Sequence, residues 1–413
     1  MMQIQPPGKK PYSPHPILNL GFRIFFASAG IFAIITMALW IFVFMGKLSL
    51  GGGVVFHPFY WHAHEMLYGY TIAIIAGFLL TAVQTWTGVP MPYGKRLLAI
   101  FSFWGIARLI WALTTLNPSQ GVTIALVIIA FIADMIFMIW MAYIITAAVI
   151  KAKQKRQIGI VSKILLLTLA NALCYIGILS QNMNLNRIGI YLGFYLIIGL
   201  VLTVGRRVTP FFIEKGLSVG QSTAVTVKNS KALDGMSLGF FVIFFIADVF
   251  IPNPILLSIA AIAVAAVNLI RLAGWYNSGI WKKPLLWSLF LGFFGMCFGF
   301  VLYALQAWGI GTHSIAVHAL ALSGIAMMTI AMMTRVSLGH TGRSIHQPPK
   351  TVVWMYVLLI ISFVARVILP LFDMSSYIMW LMIAQTSWIL CFVLFCISYL
   401  PILSKERTDG AFG

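Results

Sequence analysis

Twelve apolar stretches of bilayer-spanning length follow one another along the chain. They lie at roughly 18–46, 65–86, 97–115, 121–149, 160–181, 188–212, 236–251, 254–277, 284–308, 312–335, 351–371 and 375–402. A span needs about 20 residues to cross the hydrocarbon core. Lipid offers no water to the backbone, so only helices or a closed barrel satisfy every amide there, and barrel strands read as ~10-residue alternating segments instead. The composition agrees: 61% of the 413 residues are hydrophobic and only 8% charged, too few polar groups for the outer shell of a soluble protein. The expected fold class is all-α, a polytopic membrane protein of twelve transmembrane helices forming a single domain over 1–413.

Charge gives the orientation. The loops after the second, fourth, sixth, eighth and tenth spans carry "GKR", "KAKQKR", "KGLSVGQSTAVTVKNSK", "WKK" and "TGRSIHQPPK". Lys47 and Arg187 fall in loops of the other set, and Arg23, Arg108 and Arg366 within spans; every other Lys and Arg of the 27 lies on one side. By the positive-inside rule that side is the cytoplasm and both termini are inside. The net charge of +19 then anchors the protein to an anionic inner leaflet and calls for no nucleic acid. Residues 1–17 read as a cytoplasmic tail without a cleavable signal pattern, so the first span is a signal anchor. A central cytoplasmic loop at 213–235 divides the spans six and six, and 403–413 form a second tail. No internal repeat relates the halves, which weighs against a transporter. The four cysteines lie inside spans and no C-x-x-C-H occurs, which excludes c-type haem attachment.

Polar residues are costly in the bilayer, so their clustering at one depth suggests a purpose. His57, His62 and His64 precede or open the second span within "FYWHAHEMLYGY", and His313 and His318 open the tenth. Both groups start on the outer side. Neutral imidazole is the usual ligand for haem iron and copper. On an α-helix His62 and His64 diverge by about 200°, so one helix supplies at most one or two ligands and a second must supply the rest. His64 shares a face with Tyr68, His62 with Met66, and Glu65 with Gly69. Ser314 and Ala321 beside His318, and Gly69, Ala73, Ala76 and Gly77 on the second span, leave room for a flat macrocycle. Trp61 and Tyr60 suit an aromatic belt at the outer interface.

Each of these residues also has a plainer reading. A single interfacial histidine, such as His57 or His313, is commonly a hydrogen-bonded surface residue. Glu65 either pairs with an arginine, Arg108 or Arg366, or relays protons; Asp134 and Asp248 pose the same question. The methionines at 327, 328, 332 and 333 suit core packing better than metal binding. At the inner ends, Arg335 and the Arg206–Arg207 pair of "GRRVTPFF" either bind haem propionates or serve as topology anchors. His340 lies some twenty residues beyond His318, too far to share its metal.

The blocks "LNLGFRIFF", "WHAHEMLYGY", "GFLLTAVQTWTG", "GRRVTPFF" and "HALALSGIAMMTIAMMTRVSLGHTGR", running from residue 18 to 343, resemble those of the NnrS family of bacterial inner-membrane proteins. One position departs: Ile24 stands where the family pattern has proline. The resemblance implies twelve spans, haem b, copper, and a part in the nitric oxide response in denitrification and nitrosative stress. The matching site positions are His62, His64, Glu65, His318, Arg335 and His340.

The reading that follows is a haem-containing protein of the bacterial inner membrane that binds and detoxifies nitric oxide, with quinol as electron donor if turnover is reductive, an NO reductase-like oxidoreductase. His64 and His318 are the expected outer-leaflet metal ligands, with His62 as a further ligand. Glu65 and Tyr68 are the expected catalytic groups, and His340 serves a second, inner site or none. The alternative is a transporter of haem, metal or nitrosyl-iron species. A haem–copper oxidase relative fits less well, because that superfamily's adjacent His-His pair is absent.

Overall fold

The computed structural model describes residues 15–50, 57–116, 119–219 and 223–413. Most of the N-terminal tail, and three residues of the central loop, therefore lie outside the described residues. All regular structure among them is helical, and twelve helices are long and apolar enough to cross a membrane. They are α1 (Gly21–Phe44), α2 (Pro58–Thr87), α3 (Gly94–Leu116), α4 (Gln120–Lys151), α5 (Lys155–Leu179), α6 (Met183–Ser218), α7 (Lys231–Phe250), α8 (Pro254–Trp275), α9 (Pro284–Trp308), α10 (His313–His340), α11 (Thr351–Phe372) and α12 (Tyr377–Ser404). Each corresponds to one apolar stretch of the sequence, which makes this a multi-pass membrane protein.

Local capping chemistry fixes several helix starts, and at α2 it carries the helix past its apolar stretch. α2 starts seven residues earlier than hydropathy suggests, at Pro58, whose fixed φ and missing N–H suit a first helical turn. His57 precedes it as cap, its Nδ1 accepting from Phe59 N at 3.3 Å. Thr312 caps α10 through Oγ1, which accepts from Ile315 N at 3.3 Å. Asn253 caps α8 in the same way, accepting from the amides of Ile255 and Leu256.

Three helices contain π-helical stretches. α2 widens to a π-helical stretch over Glu65–Thr71, α10 over Leu320–Met327 and α11 over Val364–Ile368. A π-turn adds a residue per turn and is retained in proteins mostly where function uses it.

The described chain groups into two compact units. The first comprises the described residues up to Phe194, with Val336–Ser344 and Phe392–Gly413; the second comprises Tyr195–Arg335 and Ile345–Cys391. In the first unit α1 lies against α2 at close range: a Cβ on Gly77 would come 2.9 Å from Phe25 Cβ. Small residues permit such backbone approach in membrane helices. Arg23 of "GFRIFF" is wholly buried. Its Nη1 donates to the carbonyls of Leu403 and Lys405, each at 2.7 Å, which closes the C-terminal end of α12. Ile24 sits buried in the same turn. The chain end is tied down as well. Arg407 forms a two-bond fork with Asp409 and donates to His340 O at 2.8 Å.

In the second unit α7 to α11 pack largely in chain order. Gly292, Gly295 and Gly299 form a groove on α9 that receives Met328, Ser323 and Leu320 of α10. A Cβ on Gly299 would come 2.7 Å from Leu320 Cδ2.

Candidate functional site

The first unit holds a buried ionic network built from four helices. His64, Glu65 and Asp134 are each 1% exposed and Arg108 5%. Arg108, on α3, reaches Glu65 of α2 through Nη1 at 2.5 Å and Asp134 of α4 through Nη2. Of the two arginines the sequence offered to Glu65, it is Arg108 that pairs. Asp134 Oδ2 also accepts from the Tyr175 hydroxyl of α5 at 2.7 Å, and that hydroxyl accepts from Trp111 Nε1 at 2.7 Å. The second carboxylate oxygen, Oδ1, is buried without a hydrogen bond. His64 is held at both ends: Nδ1 faces Glu65 Oε1 and Nε2 faces Asn171 Oδ1, each at 2.9 Å. A bond from Asn171 Nδ2 to Met138 Sδ keeps the amide oxygen turned to the histidine. Bonding to both acceptors uses a proton on each ring nitrogen and leaves no lone pair for a metal.

Formal charges show what such a network can do. Glu65 and Asp134 oppose one guanidinium, and the second proton that His64 carries in this arrangement neutralises the remaining negative charge. Buried charge is stable only when paired and hydrogen-bonded. The arrangement suits storage and transfer of a single proton.

The π-turn starting at Glu65 places these groups. It puts Glu65 beside Arg108, whose Nη1 approaches Gly69 so closely that a Cβ there would lie 3.1 Å away. Trp104 Nε1 bonds to the carbonyl of Gly69 at 3.1 Å. Phe32 and Arg108 thus occupy the room that Gly69 was expected to leave for a macrocycle, and Phe25 and Phe26 fill that at Gly77. Trp61, expected in an aromatic belt, is 2% exposed and packed inside the unit, so its ring does not face lipid.

Tyr68 is fully buried, its ring 5.1 Å from that of His64, and its hydroxyl donates to Gly189 O at 3.0 Å. Gly193 makes this possible, because a Cβ there would lie 2.6 Å from Tyr68 Cζ. Gly193→Val is therefore expected to lower the thermal midpoint of the detergent-purified protein by an overpacking cost of about 1–3 kcal/mol. Adding Tyr68→Ala should recover part of the loss. A Gly193→Val protein as stable as wild type would contradict this packing.

His318 belongs to the second unit. Its Nδ1 lies 2.7 Å from Ser314 O and 3.3 Å from Arg366 Nη2. These contacts compete, since Nδ1 cannot donate to a carbonyl and accept from a guanidinium at once. The shorter one decides: Nδ1 carries the proton and Nε2 is the basic nitrogen, the tautomer that a metal-bound histidine needs. Arg366 sits in the π-turn of α11, donates to Ser314 Oγ at 2.9 Å, and keeps its buried Nη1 without a hydrogen bond. The same unit holds a second polar group, in which Tyr195 Oη donates to Asp248 Oδ2 at 2.5 Å and meets Tyr303 Oη at 2.9 Å. His313 Nδ1 lies 3.7 Å from Asp248 Oδ1.

The remaining candidates are spread out. His62 stacks on Trp40 at 4.5 Å between ring centroids. His340 rests against Phe22 in the first unit. Arg206 pairs with Asp234 at 3.3 Å, which also faces Arg271; Arg207 is exposed. Arg335 is buried over the Phe212 ring at 3.8 Å. Among the described residues no three His, Cys, Asp or Glu side chains gather into a ligand set, so they do not fit a copper centre held by three such side chains, and no step is assigned to copper. His318 would fit as a ligand to haem, with Arg366 beside it as a cation for a carboxylate; His64 as bonded would not. Sequence reasoning missed Asn171, Trp111 and Tyr175, which only their position at His64 and Asp134 marks out.

No curated protein matches the chain. A family model described as NnrS protein matches residues 16–407, nearly its whole length. With twelve membrane-spanning helices and this match, the chain belongs to the NnrS family and, through it, to the nitric oxide response.

Proposed function

We propose that this is a haem-binding protein of the bacterial inner membrane, both termini cytoplasmic, that binds and detoxifies nitric oxide. The observation that carries the reading is the His318 imidazole, held by Ser314 O with its Nε2 as the basic nitrogen and set beside the buried Arg366. His318 would hold haem b through that nitrogen, and Arg366 would neutralise a propionate. Bound haem supplies gas binding and one-electron chemistry. NO dissolves in lipid, so a site inside the membrane meets it without a channel.

If turnover is reductive, two NO, two protons and two electrons give N2O and water, and a quinol oxidised to quinone supplies the electron pair. The chain's own part is the proton. Glu65, Asp134 and His64, oriented by Arg108 and Asn171 and enclosed away from water, together hold one, carried on the His64 ring that spans from Glu65 to Asn171. Tyr68 and Trp111 flank the His64 ring and fix its plane.

The test is haem analysis of purified protein together with anaerobic NO consumption under quinol. Stoichiometric haem with NO consumed supports the reading. Haem with NO-dependent spectral shifts but no turnover would limit it to sequestration. Absence of haem would leave transport as the better account.

A further inference from the structure

The second unit contains a cavity of about 100 Å³ that neither the proton network nor His318 uses. It lies where the basic loops gather, at the C-terminal turn of α6, the start of α9 and the end of α10. Lys282, Lys283, Arg335 and His346 line its polar side; Leu285 and Leu286 are among its apolar lining. At ~30 Å³ per water, the volume suits a phosphate-sized group and falls far short of a porphyrin.

Its charge is one-sided. Among the described residues no Asp or Glu lines it. Arg335 is 6% exposed; among the described residues it has neither a hydrogen bond nor an ion pair, and the Phe212 ring lies beneath it. A buried guanidinium costs several kcal/mol unless an anion meets it. Lys283 commits one proton to Gly216 O at 2.8 Å and has others to give. The N-terminal turn of α9 adds the positive end of a helix dipole. His346, in the loop, is held below its ordinary pKa, first by burial and then by the charges of Lys283 and Arg335.

We infer that this cavity binds a phosphate-bearing anion, the head of an anionic phospholipid or free phosphate, with Arg335 as its buried anchor and Lys282 and Lys283 at its rim. A guanidinium fork matches phosphate oxygens in pairs, and the ammonium groups add point charge. The inference is independent of haem.

Native mass spectrometry of the full chain in dodecyl maltoside tests it, with inorganic phosphate and phosphatidylglycerol as separate probes. Arg335→Gln and Lys282→Gln should each weaken retention about tenfold, whereas Lys350→Gln, outside the cavity, should not. Lys282 is exposed, so its variant keeps the test valid if Arg335→Gln folds poorly. Variant-sensitive binding of phosphatidylglycerol alone supports a lipid-head site. Variant-sensitive binding of phosphate, alone or as well, supports a soluble-anion site. Failure of both probes to bind, or binding that neither cavity variant weakens, overturns the proposal.

Discussion

Arg108→Met is expected to destabilise the protein severely, by ~3–5 kcal/mol, with a thermal midpoint several degrees lower in detergent and poor yield from membranes. The cause is what remains. Glu65 and Asp134 would face each other inside the first unit with no guanidinium between them, both buried and Asp134 left without any cation beside it. The triple variant Glu65→Gln/Asp134→Asn/Arg108→Met removes the charges together, and replacing a whole buried ionic group with neutral residues is often neutral or even stabilising. It should therefore be more stable than the single variant, while any reductive NO turnover that draws its proton from this network falls. A single variant as stable as wild type, or a triple variant worse than the single, would show that the ionic group does not hold these helices as described.

How much of this was legible depends on what carries each signal. The twelve helices were legible because bilayer thickness fixes the length of every apolar stretch, and each stretch corresponds to one helix of α1 to α12. Their ends were less so: α2 extends back beyond its apolar stretch through Pro58 and His57, whose effect is local capping. The sequence offered Glu65 two arginines and could not choose, because pairing is set by helix neighbours. The π-turns were invisible. An α-helical reading assumes 100° per residue, and nothing in "EMLYGYT" announces a wider turn. That wider turn brings Arg108 to Gly69 and fills the space expected for a macrocycle. Asn171, the partner that occupies His64 Nε2, is one amide among many in an apolar span and carries no motif. His64 and His318, read as one pair in sequence, belong to different units, and each has its own set of partners.

The second large effect is expected at His318. Its Nδ1 is fixed by the carbonyl one turn back, so the residue presents Nε2 with little freedom to adapt. His318→Ala removes the imidazole of the Ser314–His318–Arg366 group, and haem that it would hold should be lost. Added imidazole should restore part of the absorbance, which a general folding defect would not allow. Arg366→Gln should weaken haem retention more mildly, because it removes a counter-charge rather than a ligand. His64→Ala is expected to leave the haem spectrum in place and to act on stability and turnover, because both its nitrogens already serve the proton network.

The most direct measurement is the Soret spectrum of the reduced, purified protein with and without NO, compared between wild type and His318→Ala. The account predicts an NO-sensitive Soret band in wild type that the variant loses and imidazole partly restores. An unaltered, NO-responsive band in folded His318→Ala protein would contradict it.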